Sequence, residues 1–472
     1  MSTNTVARRR PVADVLDVIV MALRGRGGDI TAGPLRRSVI LLAVPMVLEM
    51  AMESVFAVVD IFFVSRLGPG AVAAVGLTES LLTIVYTVAV GLSIGVTAVV
   101  ARRMGEGRRS AAADAAFQGL VVGVAISAVL GVAGVVHAER LLRLMGAADE
   151  VVALGGGYAR VMFGGNATVL LLFLLNAAFR GAGDAAIAMR VLWIANGLNI
   201  VLDPLLIFGV GPFPAMGVTG AAVASTVSRG VGVALQLAIL LRGAGVLHVG
   251  AANLRVVPAV VLRLLRLSST GMLQVFISTA SWIGLVRIIS GFGSEALAGY
   301  TIAIRVVLFA LLPAWGLANA AATLVGQGLG AGRPDRAEQA VWFAGRLNLY
   351  FLGTVALVFM AFAPWIAGLF GGDAATAAHA SRGLRILSAG FGFYAYGMVL
   401  TQSFNGAGDA WTPTLLNLFC FWCWEIPLAW VLAHRAGLGP DGAYLAVTVA
   451  YSTIALASAV IFRRGRWKSR VV

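Results

Sequence analysis

One lysine in 472 residues, Lys468, removes a whole class of chemistry. A phosphate-binding P-loop needs Gly-Lys-Ser/Thr behind a glycine-rich turn. Lys468 follows Trp467, so a P-loop ATPase is excluded within this chain. The four histidines, His137, His248, His379 and His434, are scattered near the ends of apolar runs and form no HExxH, which leaves metal-dependent hydrolysis without support. The two cysteines, Cys420 and Cys423, sit inside an aromatic apolar run, where they read as packing rather than as a disulfide or a zinc site. No nucleophile, base and orienting group stand together, so an enzyme is not expected.

Charge is scarce as well. Only 12% of residues are charged against 60% hydrophobic, and the mean hydropathy is +0.92. No polar stretch is long enough to clothe a soluble domain, so lipid must be the solvent for most of the chain. Helices and closed barrels alone satisfy the backbone in hydrocarbon, and apolar runs of about 20 residues select helices. The net charge of +14 does not imply nucleic acid, because the arginines fall in short gaps between apolar runs rather than on one soluble face. Arg8, Arg9 and Arg10 precede a polar, Gly-rich stretch, which is no cleavable signal pattern, so the first helix is expected to insert and stay.

What is present is a series of twelve apolar runs, at roughly 38–65, 71–101, 114–136, 155–179, 188–209, 218–241, 268–291, 296–325, 340–369, 383–405, 411–433 and 441–462. Val12 to Leu23 suits a short amphipathic helix ahead of them. Arginines crowd alternate gaps, at 102, 103, 108 and 109, at 255, 263 and 266, and at 333 and 336; others cluster before the first run and after the last. By the positive-inside rule both termini are expected on the cytoplasmic side of the plasma membrane. Shifted against itself by 225 positions, the chain places Gly68 on Gly293 and Gly105-Glu-Gly on Gly330-Ala-Gly. The same shift places Gly181-Ala-Gly-Asp on Gly406-Ala-Gly-Asp. Two repeats of six spans share one orientation, so their symmetry axis runs along the membrane normal. The expected organisation is an N-terminal segment 1–36, a six-helix lobe 37–242, a linker 243–267, a second lobe 268–462 and a basic tail 463–472.

Several strings carry a family resemblance. "LAVPMVLEMAMESVFAVVDIFFVSRLG" in the first span, "VARRMGEGRRSAA" after the second and "FRGAGD" after the fourth resemble the multidrug and toxic compound extrusion (MATE) transporters. So do "NIVLDPLLIFG" in the fifth span and "LVGQGLGAGRPDRA" after the eighth. The resemblance spans about residues 30 to 462. It implies an all-α, V-shaped carrier of twelve helices in two pseudo-symmetric lobes. It also implies exchange of H⁺ or Na⁺ for small organic, commonly cationic, compounds, and it supports Asp60, Asn199 and Asp203 as ion-site residues. Where some members carry acids in the seventh and tenth spans this chain has Ser278 nearby and Tyr394.

An ionisable group inside a span costs about 3 kcal/mol even on insertion scales and so needs a reason. At about 100° per residue, Glu49, Glu53 and Asp60 share one stripe of the first span. At 1.5 Å per residue Asp60, Glu79 and Asp203 reach one depth, about 9 to 12 Å below the outer surface, with Asn199 a turn below Asp203 and Ser225 and Thr226 at a similar level. These acids and neutral oxygens suit a proton or a Na⁺, and for Na⁺ the ligands would be Asp60, Asp203 and Asn199. Glu53 and Glu79 are further coupling candidates. In the second half, aromatic residues suit organic cations; Tyr394, Tyr396 and Glu425 are the substrate candidates there, with Asn176, Ser225 and Thr226 from the first half. No cofactor is expected, and the carrier is expected as a monomer in the bilayer. A lipid or lipid-linked precursor flippase of the same superfamily is the alternative; an ion channel or membrane-embedded enzyme fits less well.

Overall fold

The computed structural model describes residues 11–25, 30–371 and 373–470; the arginines at 8–10 and Arg26, used above for orientation, lie outside them. Every long apolar run becomes a helix, because in lipid the backbone must pair within its own segment. After α1 (Pro11–Arg24), the amphipathic helix expected there, the first lobe holds α2 (Leu35–Ser65), α3 (Pro69–Gly105), α4 (Arg109–Leu144), α5 (Asp149–Gly164), α6 (Asn166–Ala182), α7 (Ala185–Phe208) and α8 (Val218–Arg242). The second holds α9 (Pro258–Ser290), α10 (Ser294–Gly330), α11 (Pro334–Gly368), α12 (Ala374–Ala389), α13 (Phe391–Gly406), α14 (Trp411–Arg435) and α15 (Pro440–Arg463).

Ten of these helices could cross a membrane alone, and the pairs α5–α6 and α12–α13 make twelve spans if each pair is one broken span, bent by 42° and 58°. Both breaks stand at the same place in the repeat, at Gly165 and Gly390. Within α14 the backbone widens into π-helical turns at Leu418–Glu425 and Val431–Arg435, a form common at functional sites.

Helix ends overrun the apolar runs, since hydropathy marks only the lipid-buried part of a helix. The linker expected at 243–267 is therefore shorter: α9 begins at Pro258, with proline at the first helical position. Its first turns carry Arg263 and Arg266. The two GAGD turns end helices as the sequence suggests, with Gly183 at φ +92° and Gly408 at φ +82°, a conformation only glycine adopts at little cost.

The first helix of each six-helix set leans on the other set. Half of α2 packs against α10, with Val39, Leu42, Ala43 and Met46 in one core with Leu317, Ala321 and Val325. In return, the first half of α9 packs on α3, where Met272 and Ser268 fill the space left by Gly91 and Gly95. At the end of the bundle that holds the segment around Thr31 and the tail around Trp467 the lobes are shut. Gln327 Nε2 donates to Gly181 O at 2.8 Å, and Arg333 and Arg336 of α11 donate to Thr31 O at 2.7 Å and Gly33 O at 2.6 Å. The basic tail is docked rather than loose: Trp467 is buried, stacked at 4.5 Å on Phe462, and Lys468 Nζ lies 2.9 Å from Asp335 and 2.7 Å from Glu338. Those two carboxylates raise the Lys468 pKa above its ordinary value. At the opposite end no hydrogen bond or ion pair joins the lobes among the described residues.

The shut end depends on bare backbone. A methyl group on Gly105 would strike the Gln327 carbonyl, and one on Gly330 would strike the Arg102 carbonyl. Gly105→Ala should therefore part the lobes here. A cysteine introduced at the fully buried Ala101 should then react with an impermeant thiol reagent above the wild-type background. Unchanged labelling would mean that this crossing is not what seals the end.

Candidate ion and substrate sites

Asp203 is fully buried on α7, one turn from Asn199. Asn199 Nδ2 lies 3.4 Å from Asp203 Oδ1 and 3.3 Å from Ser225 Oγ of α8. With the amide turned over the network improves: its nitrogen donates to Asp203 Oδ2 at 2.9 Å, and its oxygen accepts from Ser225 N at 3.1 Å and Ser225 Oγ at 3.3 Å. Pro204 has no N–H to give the Ile200 carbonyl, which adds a free backbone oxygen one turn from the carboxylate.

Asp60 of α2 lies within electrostatic reach of Asp203 of α7 and of Arg229 of α8, with no hydrogen bond or ion pair between them among the described residues. Arg229 Nη1 donates to Tyr86 Oη at 3.4 Å and the guanidinium lies 5.4 Å from the Phe56 ring, without an ion pair among the described residues. Glu79 stands exposed nearby and feels Asp60, Arg229 and, from the other lobe, Arg305. Donors of this kind, carboxylate, amide, hydroxyl and carbonyl oxygen, suit a proton or a hard monovalent cation. No group of three or more His, Cys, Asp or Glu side chains converges as a metal site among the described residues.

Between the lobes lies a cavity of about 240 Å³. The first lobe lines it with Glu49, Glu53, Ser93, Asn176, Arg180 and Arg229, and the second with Leu312, Trp315, Asn319, Thr323, Gln402 and Asn405. Arg180 Nη1 meets the buried Glu49 carboxylate at 2.8 Å, and Asn196 Nδ2 donates to Glu53 at 3.3 Å. Asn176 accepts from Gln236 Nε2 at 2.5 Å.

The structure separates the expected site residues. Asp203, Asn199 and Ser225 form one hydrogen-bonded cluster with Asp60 in electrostatic reach, while Glu53 and Asn176 line the inter-lobe cavity. Thr226 faces the Gly165 break inside the first lobe. Tyr394, Tyr396 and Glu425, expected around substrate, do not line that cavity. Tyr396 fills the space above Gly345 and packs 6.1 Å from Trp342, whereas Tyr394 and Glu425 are buried inside the second lobe. Two acids and two arginines line the cavity, and one of each is spent on the Glu49–Arg180 pair. Sequence reading missed Arg180, Arg229, Asn319, Gln402 and Asn405. The rule that flagged the buried acids, a charge inside an apolar run, was sufficient for Arg229; the neutral amides carry no such signal.

The MatE family model matches residues 45–205 and 271–431, one match in each lobe. A probable multidrug resistance protein NorM of Thermotoga maritima is 27% identical over 447 residues, covering 93% of this chain and 94% of that protein. An FAD transporter of Shewanella oneidensis is 26% identical over 407 residues, covering 86% of this chain and 90% of that one. Among solved structures, an outward-facing multidrug resistance MATE family transporter superposes with a TM-score of 0.88 at 25% identity, over 94% of this chain and 99% of that one. A MOP superfamily transporter from Pyrococcus furiosus, described by the reverse polarity of its binding pocket, superposes with a TM-score of 0.87 at 25% identity, over 96% and 99% of the two chains. With both lobes matched over more than half its length, the chain belongs to the MatE family of membrane transporters.

Proposed function

We propose that this protein is a cation-coupled antiporter that exports amphiphilic organic compounds across the plasma membrane by alternating access, driven by H⁺ or Na⁺ bound at Asp60 and Asp203. One observation carries the reading: a buried carboxylate–amide–hydroxyl cluster, Asp203, Asn199 and Ser225, lies in the same lobe that lines an inter-lobe cavity, and the lobes are bonded together at one end only among the described residues. The sealed end carries the arginine-rich gaps, which supports a cytoplasmic seal, cytoplasmic termini and an outward-open state. An ion that binds the two access states unequally biases their populations; one that binds both alike biases nothing. Glu79 and Glu53 extend the acidic stripe from the mouth to the cavity and are proposed to pass the ion along it. The carrier works as a monomer in this reading.

Local contacts, not a net negative field, set substrate preference: Glu53 offers a carboxylate to a cationic group, and Trp315 and Phe173 offer aromatic faces. In reconstituted vesicles a fluorescent monocation should accumulate when either a ΔpH or a Na⁺ gradient is imposed, and the gradient that works identifies the ion. Failure with both gradients would refute coupled export of such compounds. A second reading has its own support. Arg229 faces the cavity without an ion pair among the described residues, and one relative is named an FAD transporter. Preferential transport of an anionic aromatic compound in the same vesicles would favour it over the cationic reading.

A further inference from the structure

Two arginines stand on the outer surface of the second lobe with no protein anion to answer them. Arg346 of α11 and Arg463 at the end of α15 are exposed, and neither guanidinium has a hydrogen bond or an ion pair among the described residues. Arg463 lies 5.4 Å from the Trp342 ring, and Arg346, one turn along α11 from Trp342, lies 5.8 Å from the Phe343 ring. Trp342 in turn packs 5.9 Å from Phe462 of α15 and 6.1 Å from Tyr396 of α13. The acids of these helices are committed elsewhere: Asp335 and Glu338 hold Lys468 at 2.9 and 2.7 Å, and Asp441, at the far end of α15, holds Arg382 at 3.0 Å.

This surface meets lipid at the level of the headgroups. At about 100° per residue Arg346 shares its stripe of α11 with the exposed Tyr350 and Leu357. Trp342 lies about 12 Å along α11 from its start at the sealed end, and the tail docks on that overhang. From Trp342 to Gly368 the helix rises about 39 Å, close to the ~40 Å of a bilayer with its headgroups. Trp342 and Arg463 therefore stand at the interface, and Arg346 is about 6 Å deeper, where a lipid-facing charge needs an anion or a path back to the surface. The fold itself does not require these charges. α4 answers α11 in the repeat at a shift of 225, and α8 answers α15 at a shift of 222, with Gly217, Gly220 and Gly243 on Gly439, Gly442 and Gly465. Trp342, Arg346 and Arg463 then fall on Phe117, Val121 and Leu241, all apolar.

We propose that Arg346 and Arg463 form a binding site for the phosphate of an anionic phospholipid, in the leaflet next to the sealed end, with Trp342 as its aromatic floor. Arginine forks suit phosphate oxygens, and rings beneath them hold the guanidinium planes in place. Wild type, Arg346→Gln, Arg463→Gln and a control, Arg140→Gln, at an exposed arginine of α4, are delipidated in detergent. Each is titrated with phosphatidylglycerol or phosphatidylcholine, and bound lipid is counted by native mass spectrometry. Wild type should hold phosphatidylglycerol more tightly than phosphatidylcholine, and each site variant should weaken that binding about tenfold. Arg140→Gln should match wild type, and glycerol phosphate should not displace the lipid. Either site variant serves alone if the other does not fold. Equal affinity of wild type for the two lipids, undiminished binding in the site variants or an equal loss in Arg140→Gln would overturn the assignment. Displacement by glycerol phosphate would overturn it too, in favour of a soluble phosphate.

Discussion

Asp203→Asn should yield a correctly folded carrier that no longer pumps uphill. The substitution keeps the shape and the hydrogen-bonding capacity toward Asn199, whose amide can still meet an amide oxygen at the 3.4 Å contact seen here. It removes one of the two charges proposed to hold the cation. Moving a two-state population from 1:99 to 99:1 takes about 5.5 kcal/mol of differential affinity, and an ion that no longer meets a carboxylate in one state has no comparable difference to offer. Asp60→Asn should behave alike, since Asp60 and Asp203 act on each other from different helices. The expected outcome for both is normal yield and monodispersity, retained substrate binding and abolished accumulation against a gradient. Loss of yield in both, with no transport defect in the protein that does fold, would mean that these acids serve assembly.

Arg180→Ala is expected to show the opposite phenotype. Arg180 and Glu49 form an ion pair at 2.8 Å with side-chain exposures of 11% and 1%. Removing one partner of such a pair strands the other charge in a poorly solvated site, at a cost of about 3–5 kcal/mol. Glu49 is already short of one contact, because its Oε2 has no partner. Thermal denaturation in detergent should show a large loss of stability for Arg180→Ala and for Glu49→Ala. The double change Arg180→Met with Glu49→Leu should recover most of it, since an apolar pair of similar volume is often no worse than a buried ion pair. Single variants as stable as the wild type would show that the pair is solvated through the cavity and serves substrate binding.

The contrast between these two acids marks what sequence could and could not reveal. Glu49 and Asp60 lie on one face of one helix, and helical periodicity places them together. Only packing reveals that Glu49 meets an arginine from α6 while Asp60 has no ion-pair partner among the described residues. Depth counting joined Asp60 and Asp203 because a transmembrane helix rises uniformly and both spans run the same way. It could not give the crossing of α2 onto α10, which depends on Gly316 lying against the Met46 backbone, a matter of side-chain volume rather than hydropathy. The breaks at Gly165 and Gly390 were hidden because each run stays apolar through the bend. Tyr394 and Tyr396 were misplaced for a related reason: an aromatic run is equally consistent with a lipid face, a lobe core and a pocket wall. Glu425 was visible as a buried charge, but its surroundings come from five other helices and no spacing along α14 encodes them.

The central claim is that ion movement through the first lobe and substrate movement through the inter-lobe cavity are one event. Its most direct test is to measure both fluxes at once in the same proteoliposomes, cation entry with a pH- or Na⁺-sensitive dye and substrate exit by its own fluorescence, for wild type and Asp203→Asn. The account predicts a fixed ratio of cations to substrate in the wild type, and in the variant only downhill substrate movement with no linked cation flux. An unchanged ratio in Asp203→Asn would contradict it.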